Sequence, residues 1–316
     1  MQHIRKEKKG NTTAFGIGTV KADWVRNKGY YLLFIPVFLY FAIFCYAPMV
    51  GVIIAFKDYS PGLGILGSPW VGFEHFIEFF QSFYFWRLLG NTLKLSIYGI
   101  IFVFPAPIIL ALLFNELRYK RFMRITQTIV YLPKFISLVV ICGLIKQFTY
   151  TDGLFNDLLF PIVGERIPFL QDSRYFRFIY TVSDIWQNIG WDSIVYLAAL
   201  MAVDQELYEA AAMDGAGRWR QLFVITIPSI MPTIVILFIL RLAQLLNVGY
   251  EKIILLYNES TYNVADVIST YVYRKGLVDY QWSYSTAIGV FNSVCSIILL
   301  FSSNKLCSKA TGESLW

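Results

Sequence analysis

Histidine and charge are scarce in this chain of 316 residues. His3 and His75 are its only histidines, and no group of His, Cys and carboxylate side chains has metal-ligand spacing, so metalloenzyme chemistry lacks a ligand set. Charged residues make up 15% of the sequence, well below the quarter or so of a soluble domain, which argues against an ordinary cytosolic protein. Of the four cysteines, Cys45, Cys142 and Cys295 lie in apolar stretches and Cys307 near the end, a distribution that suits packing rather than a disulfide framework. A G-x-x-x-x-G-K-[ST] phosphate loop is also missing, so the chain is not expected to hydrolyse ATP, and no nucleophile and base stand paired as in an enzyme.

What fills the sequence is apolar: 57% hydrophobic and 18% aromatic residues, with a mean hydropathy of +0.54. A hydrocarbon core of roughly 30 Å is crossed by about 20 helical residues, and six apolar runs have that scale. They cover residues 30–56, 92–113, 126–148, 176–203, 233–250 and 285–303, and predict an all-α membrane protein with six transmembrane helices. The first run is too long for a signal peptide and has no cleavage site after it, so it is expected to stay as an anchor. Lys and Arg concentrate in a basic tail over residues 1–29, after the second run, after the fourth, and in a closing tail over 305–316. Fifteen fall on that side and eight on the other, which places both termini in the cytoplasm. Pro36, Pro48, Pro105, Pro107 and Pro133 fall within runs, as kinks whose freed carbonyls neighbouring helices satisfy. The bilayer is the expected surround, and no nucleic-acid partner is expected.

Between the fourth and fifth runs lies a polar segment, residues 204–230. Its first half reads as a helix with acidic residues near the amino end, where the helix dipole favours them. Gly215 stops that helix, and with Gly217 allows a bend into a second short helix ending at Pro228. Leu207, Ala210, Ala211 and Asp214 share one face, with Glu206 and Glu209 beside it, a small polar-edged surface suited to docking or to a plain surface cap. The spacing Glu209-Ala210-Ala211, three residues, Gly215, nine residues, Ile225, one residue, Ile227-Pro228 resembles the EAA loop, E-A-A-x3-G-x9-I-x-L-P, of the membrane subunits of binding-protein-dependent ATP-binding-cassette (ABC) importers. Ile227 in place of Leu is the departure. Residues 85–92 resemble the entry segment of sugar-importer permeases. Residues 247–252, 265–274 and 314–316 resemble the branch that handles polysaccharide fragments, uronate-containing ones included.

The resemblance implies a type I ABC importer permease (MetI-like) architecture in a bacterial inner, or cytoplasmic, membrane. It implies a heteromeric complex: a second homologous permease, two ABC ATPase subunits that bind ATP and Mg, and an extracytoplasmic solute-binding protein delivering an oligosaccharide. It also carries an ATPase-coupling role onto Glu209, Ala210, Ala211 and Gly215.

Polar residues inside spans are costly and face a bundle interior or a water-filled path. Asp184, Asn188, Trp191 and Asp192 recur at helical spacing in the fourth run, and Arg241, Gln244, Asn247 and Glu251 in and after the fifth. Asn188, Trp191, Arg241, Gln244 and Asn247 are the expected substrate path, since aromatic faces and amides suit a sugar's C–H faces and hydroxyl rim. Arg241 fits two roles, contact with a substrate carboxylate or a structural pair with Asp192 or Asp184, the second slightly favoured. Lys94, Lys134 and Lys146 are expected to snorkel or bond between helices. Residues 73–89 read as an aromatic amphipathic stretch along the membrane interface, and 149–175 and 251–284 as external loops. A competing reading is a stand-alone ion-coupled secondary transporter with Asp184, Asp192 and Glu251 as proton-coupling carboxylates; the inverted repeats that would support it are not seen.

Overall fold

The computed structural model describes residues 17–117 and 119–315, with the side chains of 17–23 and 25 excepted. Arg5, Lys6, Lys8, Lys9, Arg118 and Trp316, which enter the charge count and the family resemblance, lie outside the described residues. The chain divides into two units, Met1–Ile53 and Ile54–Trp316.

In the first unit, α1 runs over Ile17–Phe41, so the expected tail is helical from residue 17 onward, with a kink at Asn27 (φ −114°, ψ 19°). A wide π turn, Ala42–Tyr46, and a short helical turn, Ala47–Met49, follow.

The second unit is almost wholly helical among its described residues. Its helices are α2 (Glu74–Gln81) and α3 (Phe85–Asn115), then α4 (Lys120–Tyr131), α5 (Leu138–Thr149) and α6 (Leu154–Val163). The long α7 (Ser173–Met201) precedes α8 (Gln205–Met213) and α9 (Arg218–Ala243). The short α10 (Tyr250–Leu256) and α11 (Ile268–Tyr273) lead into α12 (Trp282–Thr311). Among the described residues five helical segments are long and apolar enough to cross a membrane: Arg26–Phe56, Phe85–Asn115, Leu138–Val163, Arg218–Ala243 and Trp282–Thr311. At 1.5 Å per residue α7 is about 43 Å long, but Arg174, Arg177, Asp184 and Asp192 lower its apolar character.

Two expected spans take a different course. The helix expected over 126–148 is broken, because Pro133 opens a tight 3-10 turn, Leu132–Phe135, after which Ile136 is extended. Ser137 then restarts the chain as an N-cap, its hydroxyl accepting from Val140 N at 3.4 Å. The span expected over 233–250 is shifted toward the 204–230 segment: α9 begins at Arg218 and ends at Ala243, and residues 244–249 are not helical. The second short helix therefore does not end at Pro228 but runs on through it. Within the expected loop 149–175 stands α6, closed by Gly164 in the left-handed region at φ 78°.

Pro48, Pro105 and Pro228 each follow a π turn, Ala42–Tyr46, Gly99–Val103 and Leu222–Thr226. In such a turn the hydrogen bond spans one residue more, as in Phe104 N donating to Gly99 O at 2.9 Å, directly before the proline that has no N–H to continue the ladder.

Three apolar clusters pack the second unit from one end to the other. Phe79, Leu88, Tyr271 and Ile288 pack one end, Ile141, Phe176, Ile253 and Leu256 the middle, and Phe114, Tyr196, Leu200 and Ile230 the end that carries the 204–221 segment. At one crossing a small residue sets the approach, Gly190 of α7 lying against the backbone of α4 at Val130.

Candidate functional site: a polar cavity beside an exposed loop helix

Between α3, α7 and the non-helical stretch after α9 lies a cavity of about 460 Å³, within the range of roughly 300–1,000 Å³ typical of ligand sites. Gly99 and Ser96 come from α3, Tyr180, Asp184, Asn188 and Asp192 from α7, and Lys134 from the turn before α5. Arg241, Gln244, Asn247, Glu251 and Lys252 supply the remaining polar wall. The expected stripe from Arg241 to Glu251 is thus gathered into one place, though not by a continuous helix. Unwinding after Ala243 turns Gln244 and Asn247 into the cavity and frees backbone groups that line a polar space. Side chains satisfy several of these: Ser96 Oγ donates to Leu245 O, and Ser269 Oγ to Val248 O at 2.8 Å.

Asp184 is the hub of the wall. Its Oδ1 stands 3.4 Å from Lys252 Nζ and accepts from Asn188 Nδ2 at 3.0 Å, while Asn188 Oδ1 accepts from Lys134 Nζ at 2.8 Å. Lys134 therefore bonds between helices at the cavity rather than snorkelling. Lys252 is buried over the Tyr180 ring, 5.1 Å from its centroid, and that burial draws its ammonium below the ordinary lysine range against the pull of Asp184. Asn247 Oδ1 accepts from Asn292 Nδ2 at 2.6 Å, tying the wall to α12.

Arg241 behaves otherwise. None of the ion pairs among the described residues includes it, so the structural pair with Asp192 or Asp184 does not form; Lys252 holds Asp184 instead. Its guanidinium lies against Gly99, where an added Cβ would meet Nη2 at 2.7 Å. Trp191 lies outside this cavity, 46% exposed and edge-on to Phe135 at 5.8 Å. Gly99, Tyr180 and Lys252 are among the wall residues that the sequence reading missed. Lys252, a cation one residue beyond the polar stripe, carried a signal, whereas Gly99 carried none.

At the other end of α7 stands the loop helix α8. Asp204 caps it, its carboxylate accepting from Glu206 N at 3.0 Å, and Gly215 closes it at φ 75°, a conformation natural to glycine. Glu209, Ala210 and Gly215 are exposed and Ala211 half-buried. The helix is tied to α9 by Tyr208 OH and Thr226 Oγ1 at 3.0 Å, and Gln221 Nε2 donates to Ala216 O at 3.0 Å. Leu207, Met213 and Trp219 stand exposed around the acidic edge. The arrangement is a rigid exposed helix joined to the two long helices, α7 and α9, that wall the cavity.

Comparison with known proteins gives concordant results. The family model described as "Binding-protein-dependent transport system inner membrane component" matches residues 103–309. Protein LplB of Bacillus subtilis (strain 168) is 48% identical over 92% of each chain. The polygalacturonan/rhamnogalacturonan transport system permease protein YteP of the same organism is 45% identical over 92% of this chain and 91% of its own. A crystal structure of a bacterial ABC transporter involved in the import of the acidic polysaccharide alginate contains a chain that superposes with a TM-score of 0.87 at 44% identity, covering 93% of this chain and 99% of its own. A second structure of the alginate transporter, in complex with alginate pentasaccharide-bound periplasmic protein, gives a TM-score of 0.86 at 43% identity.

Proposed function

Because this chain belongs to the family of binding-protein-dependent transport system inner membrane components, a multi-pass permease of an ABC importer, we propose that it forms, with a second homologous permease, the path for an acidic oligosaccharide. In this reading a solute-binding protein delivers the substrate, and two ABC ATPase subunits, which bind ATP and Mg, dock on Glu209, Ala210, Ala211 and Gly215. Six helices cross the inner membrane, α7 being the sixth beside the five apolar ones, with both termini in the cytoplasm. Asn188, Arg241, Gln244 and Asn247 line the path at the cavity, and Trp191 belongs to it on the exposed face outside the cavity. Arg241 is the observation that carries the proposal: an intramembrane guanidinium facing a polar cavity, with no described carboxylate within ion-pair distance, is supplied with one by an anionic sugar. The relative named for polygalacturonan transport and the solved importer of alginate support that substrate class.

ATPase closure then shifts α8, and α7 and α9 carry the shift to the cavity walls as a rigid movement between outward-open and inward-open states. The test is reconstitution of the complete importer in proteoliposomes. Arg241→Gln is expected to lower acidic-oligosaccharide uptake by roughly tenfold, the worth of one charge-assisted hydrogen bond, and Glu209→Lys to separate ATP hydrolysis from uptake. Uptake driven by an ion gradient with no ATPase present would overturn the reading, as would an Arg241→Gln variant that carries the acidic substrate unimpaired.

A further inference from the structure

At the end of the second unit remote from the 204–221 segment, two arginines meet one carboxylate and a third is joined through Asn91 to the backbone of the same residue. Asp266 is 1% exposed and accepts from Arg274 Nη2 at 2.7 Å, Arg274 Nη1 at 3.3 Å and Thr270 Oγ1 at 2.8 Å. Arg87 Nη2 stands 3.9 Å from the same carboxylate. Arg177 has no ion pair among the described residues; its Nη2 donates to Asn91 Oδ1 at 3.0 Å, and the amide nitrogen of Asn91 donates to Asp266 O at 3.0 Å. The Arg87 guanidinium lies over the Tyr84 ring at 4.9 Å, which fixes its plane.

The charges do not balance. Two guanidinium groups face one carboxylate while that of Arg177 faces none, and the Nε atoms of Arg87 and Arg177 are buried without a hydrogen-bond partner. Arg87 stands in the first turn of α3, where a cation works against the helix dipole rather than with it. A surplus of positive charge held in this way is costly unless an anion visits it.

The same helix faces lead to the cavity. Arg177, Thr181 and Asp184 follow one another at i+4 and i+7, and the last two line its wall; Arg87, Asn91 and Leu95 follow at i+4 and i+8, and Leu95 lines it too. Arg177 lies about 10 Å beyond Asp184 along α7. We propose that Arg87 and Arg177 form an anion subsite that takes a carboxylate of an acidic saccharide before the saccharide reaches the Arg241 cavity. The inference rests on the acidic-oligosaccharide reading above, and adds a second positive station at the opposite end of the bundle from the coupling helix.

The test uses the complete importer in proteoliposomes with its binding protein and two probes, a galacturonate trisaccharide and the same trisaccharide with its carboxyl groups methyl-esterified. The ratio of acidic to esterified uptake is measured, because any loss of folded protein cancels from it. Arg87→Gln/Arg177→Gln is expected to lower the ratio roughly fivefold or more, as loss of two carboxylate contacts should, and Arg87→Lys/Arg177→Lys to recover part of it. Should the double variant fail to assemble, Arg177→Gln alone, which leaves the Arg274–Asp266 pair in place, carries the same expectation at reduced size. An unchanged ratio overturns the subsite. So does an equal fall for both probes accompanied by weaker docking of the ligand-free binding protein, which would assign the two arginines to docking. A wild-type importer that does not favour the acidic probe overturns the acidic-substrate reading itself, before any variant is made.

Discussion

At Gly190 the main chains of α4 and α7 nearly touch: a Cβ there would stand 2.3 Å from Val130 O and 2.9 Å from Tyr131 Cδ1. Neither contact can yield cheaply, since one partner is backbone and the other a packed ring. Gly190→Ala is expected to destabilise the protein by about 1–3 kcal/mol, as overpacking does, whereas Gly289→Ala, with nothing within 4 Å, leaves it unchanged. Thermal unfolding of the purified permease in detergent checks this, and equal midpoints for the two variants would contradict the close crossing. Gly99 shows the same device in the cavity wall, where the missing side chain makes room for the Arg241 guanidinium. These glycines were not legible in the sequence, because a glycine in an apolar run looks the same whether it faces lipid, backbone or an arginine. Arg241, Gln244 and Asn247 were legible, because polar groups at membrane depth stand out against an apolar background.

The loop helix α8 is the element whose shape the sequence specified most fully. An acidic N-cap, a run of strong helix formers and a glycine stop agree with one another, and the helix runs Gln205–Met213 between Asp204 and Gly215. Its end depends on Gly215 at φ 75° and not on Gly217, which sits at φ −69° with open space around it. Gly215→Ala therefore strains the turn by about 1 kcal/mol or more and is expected to lower the number of sugars carried per ATP hydrolysed in the reconstituted importer. Gly217→Ala leaves that number unchanged. Indistinguishable ratios for the two would detach the left-handed turn from coupling. Element boundaries elsewhere were harder to read. Hydropathy alone joined residues 126–148 and extended the fifth run to 250, because it does not register that Pro133 opens a 3-10 turn or that α9 stops at Ala243.

On the scale of the whole molecule, one ion pair joins α10 to α7 across the cavity. Lys252 and Asp184 have side chains 5% and 21% exposed, and breaking such a pair costs more than removing it. Asp184→Asn alone leaves Lys252 buried beside a neutral amide and is expected to cost roughly 3 kcal/mol, seen as a fall in the thermal midpoint. Asp184→Asn/Lys252→Met is expected to recover most of that loss, since no unpaired charge remains. A double variant as unstable as the single one would show that Lys252 is held by its place over Tyr180 and not by the carboxylate.

The sequence by itself determined the class of this protein and the place of its exposed loop helix, because apolar run length and the Glu209-to-Pro228 spacing are local properties that survive any packing. Only the tertiary structure decided which polar groups share a cavity and which charge is left over. Asp184 was open to Arg241 or to another cation until the turn after Ala243 brought Lys252 to it, and pairing across 68 residues is a matter of how helices cross, which no local pattern encodes.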